Sequence, residues 1–230
     1  MLKKRGKIMQ ILFVLGIGVV MLSSCTEFFT SSWGEGAKRD PSKVKVTSSN
    51  AAALVRAARG DPELSRTILA KIAGMGGGGW SPALQVTAVR AANQGSGISK
   101  LILENVGLIA KDTTKTTVED LLDTIKASAK GNHVDEISGE LKIVLDSALS
   151  NNAFSSDFLA SVNESDLVLL FATLVIADMG DDTMEDYSDG WSGAPTAGMG
   201  IRNFIWAAAQ GLRGSDTFGG PINEILGEII

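Results

Sequence analysis

Leu167-Val168-Leu169-Leu170-Phe171-Ala172-Thr173-Leu174-Val175-Ile176-Ala177 is apolar on every side. Its eleven residues are too few to cross a bilayer as a helix and too many for an ordinary buried strand. The stretch therefore predicts a central helix buried all round.

Outward from it, apolar residues recur at three and four, the period of an amphipathic helix, and almost nowhere alternate. Upstream stripes are Leu64, Ile68 and Ile72; Ile98, Leu101, Ile102, Val106 and Ile109; Val118, Leu121, Leu122 and Ile125; and Val134, Ile137, Leu141, Val144, Leu145 and Leu149. Downstream come Ile201, Ile205, Ala208 and Leu212, then Ile222, Ile225, Leu226 and Ile229, both expected to pack on the central helix. Start signals support the pattern. Asp61-Pro62 and Ser81-Pro82 place a capping side chain before a proline at the tolerated first helical position. Thr116 and Glu119 have capping-box spacing. The fold class expected is all-α, with helical hairpins packed around the apolar helix.

Val55-Arg56-Ala57-Ala58 returns 34 residues later as Val89-Arg90-Ala91-Ala92, and Leu64-Ser65-Arg66 as Ile98-Ser99-Lys100 at the same offset. A looser copy begins at Ile125-Lys126-Ala127-Ser128. Helix-turn-helix units of this length resemble tetratricopeptide-like repeats, in which neighbouring hairpins bury one another's open faces. Most aromatic and glycine positions of that consensus are missing, and an irregular bundle with similar hairpins is the alternative.

At the other end, Lys3, Lys4, Arg5 and Lys7 precede an apolar run from Ile8 to Leu22 that is too short for a stable span. Leu22-Ser23-Ser24-Cys25 follows, and Cys25 is the only cysteine in 230 residues. This arrangement resembles the signal peptide and lipobox of bacterial lipoproteins. The resemblance implies cleavage before Cys25, a diacylglycerol on its thiol and an acyl chain on its freed amine, with no other cofactor. Two or three acyl chains together, buried at about 0.8 kcal/mol per CH₂, make such an anchor stable. Residues 1–24 are then a signal peptide, 25–49 a lipidated tether rich in Ser, Thr, Gly and Lys, and 50–230 a single domain. Phe28, Phe29 and Trp33 either dip into the membrane interface or pack back on the domain.

From Cys25 onward the chain carries 17 Lys and Arg against 26 Asp and Glu, a formal charge of −9. That balance, with no dense Lys/Arg cluster downstream, argues against nucleic acid as a partner.

Few residues offer chemistry. His133, the sole histidine, sits in a Gly131-Asn132-His133 turn with no motif-spaced nucleophile, so a surface role is expected and no catalytic residue is assigned. Gly74 and Gly76 to Gly79 form the densest glycine stretch, but Trp80 stands where a phosphate loop needs lysine. Asp178, Asp181, Asp182, Glu185, Asp186 and Asp189 crowd into twelve residues. They are a candidate calcium site that lacks EF-hand spacing, a solvated acidic loop being the alternative. Trp191, in the glycine-rich segment after them, reads as a plug over the core or as part of a binding loop.

Together these features predict a non-enzymatic lipoprotein of the bacterial cell envelope, held to the inner or outer membrane with its domain outside the cytoplasm. Its expected partner is another envelope or transporter protein, because small helical-repeat lipoproteins are known as periplasmic partners of transporters. A carrier of a lipid or apolar small molecule is the alternative, and a carboxylate-based envelope hydrolase a third.

Overall fold

The computed structural model describes residues 41–76, 80–101, 118–129, 133–182, 186–187, 190–191, 193–196 and 200–213. A 3₁₀ turn at Pro41–Lys43 leads into α1 (Ala51–Ala57), α2 (Pro62–Ala73), α3 (Pro82–Ser96), α4 (Val118–Ala129) and α5 (Val134–Leu145). A second 3₁₀ turn at Asp146–Ala148 precedes β1 (Leu149–Ser150) and β2 (Ala153–Phe154), after which come α6 (Ser156–Ser161), α7 (Glu164–Met179) and α8 (Ile201–Leu212). The fold is all-α, with one two-stranded antiparallel ribbon among the described residues.

Caps fix the helix starts. Asp61 accepts the Leu64 amide at 3.0 Å and Ser81 the Leu84 amide at 3.4 Å, each ahead of a proline, as their sequences predict. Asn163 accepts the Asp166 amide at 2.7 Å and opens α7. Thr116 and the stripe from Ile222 to Ile229 lie outside the described residues.

Helix α7 contains the apolar stretch and is buried on all sides, with Leu170 at 0 % exposure and Leu174 at 1 %. It packs on α3, α5 and α8. It shares the centre with α3, which touches α1, α2, α5, α6 and α7. That helix is short of bulk: Ala88, Ala91, Ala92 and Gly95 let its neighbours approach closely. Two of its buried polar side chains find partners on other elements. Gln85 Nε2 donates to Ser147 Oγ at 3.0 Å, and Asn93 Nδ2 to the Asp166 carbonyl at 3.1 Å. At the rim, Arg90 Nε meets Asp166 Oδ2 at 2.8 Å and ties α3 to the start of α7.

Three expectations shift. The stripe ending at Leu149 breaks earlier: α5 stops at Leu145 and Leu149 enters β1. The reason is the Asn151-Asn152 turn, whose φ angles of 51° and 60° satisfy the two left-handed positions of a tight hairpin. The domain also begins before residue 50, since Val44 and Val46 pack on the core and Lys71 Nζ donates to the carbonyls of Ser42 and Val44. Finally, tetratricopeptide-like repeats are not confirmed: Leu64 and Ile98 both stand in the first turn of a helix, but the other pair of segments differs. Val55 to Ala58 straddles the end of the seven-residue α1, whereas Val89 to Ala92 lies inside the fifteen-residue α3. A linear repeat array confines contacts to neighbouring units. Because α3 packs on α6 and α7 as well as on α1 and α2, the described helices form a bundle around two central members.

Candidate functional site

A group of polar and aromatic side chains stands together at the C-terminal end of α7. Asp178, on the last turn of that helix, accepts the Tyr187 hydroxyl at 2.9 Å and Arg202 Nε at 3.0 Å through the same Oδ2. Arg202, from the first turn of α8, also donates Nη1 to the Gly190 carbonyl at 3.1 Å. Its guanidinium lies over the rings of Tyr187, at 5.7 Å, and Trp191, at 5.2 Å. These two rings meet edge to face at 6.0 Å. Tyr187 is 1 % exposed and Trp191 9 %, so both belong to the core, and Trp191 takes the plug position.

Burial, followed by the charge and hydrogen bond of Asp178, pushes the Tyr187 phenol far up; the neighbouring Trp191 and Arg202 pull less strongly the other way. Tyr187 therefore stays a protonated donor to Asp178. The Trp191 indole N–H sits close enough to influence that phenol but completes no hydrogen bond. Chemically the cluster is a clasp: one carboxylate joins the end of α7, the 186–191 segment and α8.

This use of Asp178 bears directly on the candidate calcium site. The carboxylate faces an arginine and a phenol, which is not the environment of a free metal ligand. Lys126 Nζ donates to the Asp182 carbonyl. Among the described residues no group of three or more His, Cys, Asp or Glu is placed to hold a metal, while Glu185 and Asp189 lie outside them.

His133 occupies the turn before α5 with a left-handed φ of 55°, and Nδ1 meets Glu136 Oε2 at 3.0 Å. Both side chains are largely exposed, which matches the surface role expected. Gly77 to Gly79 lie outside the described residues, and Trp80 Nε1 donates to the Ile72 carbonyl at 3.2 Å, pinning the end of that loop to α2. Cys25 and the tether aromatics also lie outside the described residues.

One further carboxyl is perturbed. Half-burial, then the charge of Glu136 one turn away, pushes Glu140 from 4.5 up to about 7. The folded chain thus holds this proton more tightly than the unfolded chain. Ionising Glu140 opposes folding, and the penalty is absent below pH 4.5 and complete above about pH 7. With solvent screening of a half-exposed group it amounts to about 1 kcal/mol. Glu140→Gln is expected to raise the melting temperature by about 2–4 °C at pH 8 and to leave it unchanged at pH 4. An equal effect at both pH values would mean that the amide helps through packing and not through charge.

Sequence reasoning missed Tyr187 and Arg202. No motif links them to Asp178, and only the return of α8 against α7 brings them together. Comparison with known proteins found no matching family model, no matching curated protein and no matching solved structure.

Proposed function

We propose that the chain is a lipoprotein anchored in a bacterial envelope membrane through Cys25, whose helical domain serves as a binding component for another envelope protein. The observation that carries this reading is the order of basic residues, short apolar run and Leu22-Ser23-Ser24-Cys25, with Cys25 the only cysteine. The described helices are consistent with that role, since none is long and apolar enough to cross a membrane. A core accounts for the composition of α7, whose apolar surface packs on α3, α5 and α8.

Cys25→Ala tests the anchor. The unaltered chain is expected in the membrane fraction after alkaline washing, and the variant in the wash. Retention of the variant would replace the lipid anchor with an uncleaved apolar one. Capture of crosslinked neighbours from the same membranes then tests the binding role: one envelope protein enriched over the variant supports it, and enrichment of lipid alone overturns it.

A further inference from the structure

Helix α5 shows two faces. Val134, Ile137, Leu141, Val144 and Leu145 are buried, whereas Asp135, Glu136, Gly139 and Ile143 are exposed, Glu140 is half-buried, and Asp146, just past the helix, is exposed again. Spacing of three and four puts Glu136, Gly139, Glu140 and Ile143 on one stripe of the outer face. Three features of that stripe work against the domain standing alone. Ile143 is 52 % exposed, the one large apolar side chain left so among the described residues. Gly139 weakens the middle of a helix although no neighbour needs the space, since a Cβ there would meet nothing within 4 Å. Glu136 and Glu140 are like charges one turn apart, and neither meets a Lys or Arg among the described residues. Singly each is ordinary on a surface; on a single stripe they coincide.

One occupant relieves all three. A helix crossing at Gly139 can approach the α5 backbone closely, cover Ile143 with an apolar side chain and set a Lys or Arg beside Glu136 and Glu140. We propose that this outer face of α5, built on Gly139 and Ile143 and flanked by Glu136 and Glu140, is where the domain docks a basic amphipathic helix of its partner protein. The choice of an envelope protein as occupant rests on the binding role proposed above. Charge complementarity disfavours two others: a second copy laid face to face would set carboxylates against carboxylates, and an anionic bilayer would be repelled. Lys142, the nearest basic residue in the helix, lies on the flank toward α8, its Nζ 3.9 Å from where a Cβ on Gly200 would stand. The twelve residues of α5 offer about three turns, a small interface of roughly micromolar class. Confinement of both partners to one membrane raises their effective concentration and offsets that weakness.

Photocrosslinking of the full chain in its native membranes tests this, with a benzophenone amino acid in place of Asp146, one turn beyond Ile143, or, as control, in place of the exposed Asp157 on α6. Crosslinking from Asp146 is expected at least about tenfold above the control, to a segment of one envelope protein that carries Lys or Arg in an amphipathic helical pattern. Gly139→Leu and Ile143→Glu should each lower that yield at least about tenfold, and Glu136→Gln with Glu140→Gln about fivefold. Glu63→Gln with Asp157→Gln, which changes net charge equally at two other exposed positions, should leave it unaltered. Gly139→Ala should lower it roughly threefold while raising the melting temperature, which separates lost docking from lost folding. Equal yield from both positions, a yield indifferent to Gly139→Leu, or capture of a second copy, of lipid or of an acidic segment overturns the proposal. A partner captured at Asp157 and not at Asp146 removes this surface and leaves the binding role standing; no protein captured at either position removes both.

Discussion

Asp178→Ala is expected to lower the melting temperature by about 6–12 °C, corresponding to about 3 kcal/mol in a domain of this size. The loss has two sources. Tyr187, 1 % exposed, keeps a hydroxyl that has no acceptor once the carboxylate is gone, and an unsatisfied buried donor costs about 1–3 kcal/mol. Arg202 keeps a partly buried charge whose partner has been removed, which costs more than never having had the pair. Asp178→Asn should fall between, since the amide oxygen still accepts from Tyr187 while the charge is lost. Tyr187→Phe should cost only about 1 kcal/mol, because Asp178 then retains Arg202. Tyr187 is the chain's one tyrosine, so phenolate absorbance reports on it alone. In the unaltered protein that absorbance should appear only as the fold opens at high pH; in Asp178→Ala it should appear at lower pH, since both contributions of the carboxylate raise the phenol's pKa. A shift of less than about 1 °C in Asp178→Ala, with an unaltered titration, would show that the clasp does not hold α7 and α8 together.

The parts of this fold legible in the sequence are those governed by local rules. Asp61-Pro62 and Ser81-Pro82 cap helices because a short polar side chain and a fixed φ act within a few residues. Leu167 to Ala177 reads as a core helix because no side of it can face water. Helix α3 was not legible as a second centre. Its burial depends on closeness rather than on bulk, and Ala, Gly, Thr and Asn resemble a weakly amphipathic surface until α2, α5 and α7 are in place around them. The Asn151-Asn152 turn was readable in principle, from two residues that tolerate positive φ, but strands of two residues leave no alternation to support it. At the candidate site the sequence pointed to Asp178 for its acidic neighbours. Its actual partners arrive from 9 and 24 residues further on, a tertiary juxtaposition with no local trace.

Gly95→Leu should test that closeness, with an expected loss of about 3 kcal/mol, or roughly 6–12 °C in melting temperature. A Cβ on Gly95 would stand 2.9 Å from Arg66 Cγ and 3.3 Å from the Arg66 backbone nitrogen on α2. The first contact is relieved if the arginine stem turns away, but that movement also disturbs the hydrogen bond from Arg66 Nη1 to the Gly95 carbonyl at 3.2 Å. The second contact is with main chain and is relieved only if α2 and α3 separate. Separation loosens the packing of Ile68, Ile72, Ala88 and Ala92, all 0 % exposed. Even Gly95→Ala should destabilise, although alanine is the better helix former by about 1 kcal/mol. Gly139 supplies the opposite case: it lies inside α5, and a Cβ there would meet nothing within 4 Å, so Gly139→Ala should stabilise by up to about 1 kcal/mol. One substitution made at two helical glycines thus separates backbone propensity from interhelical distance. If Gly95→Ala and Gly139→Ala both stabilise, α2 and α3 are not in the close contact that makes α3 a central helix. The second centre of the bundle would then have to be assigned elsewhere.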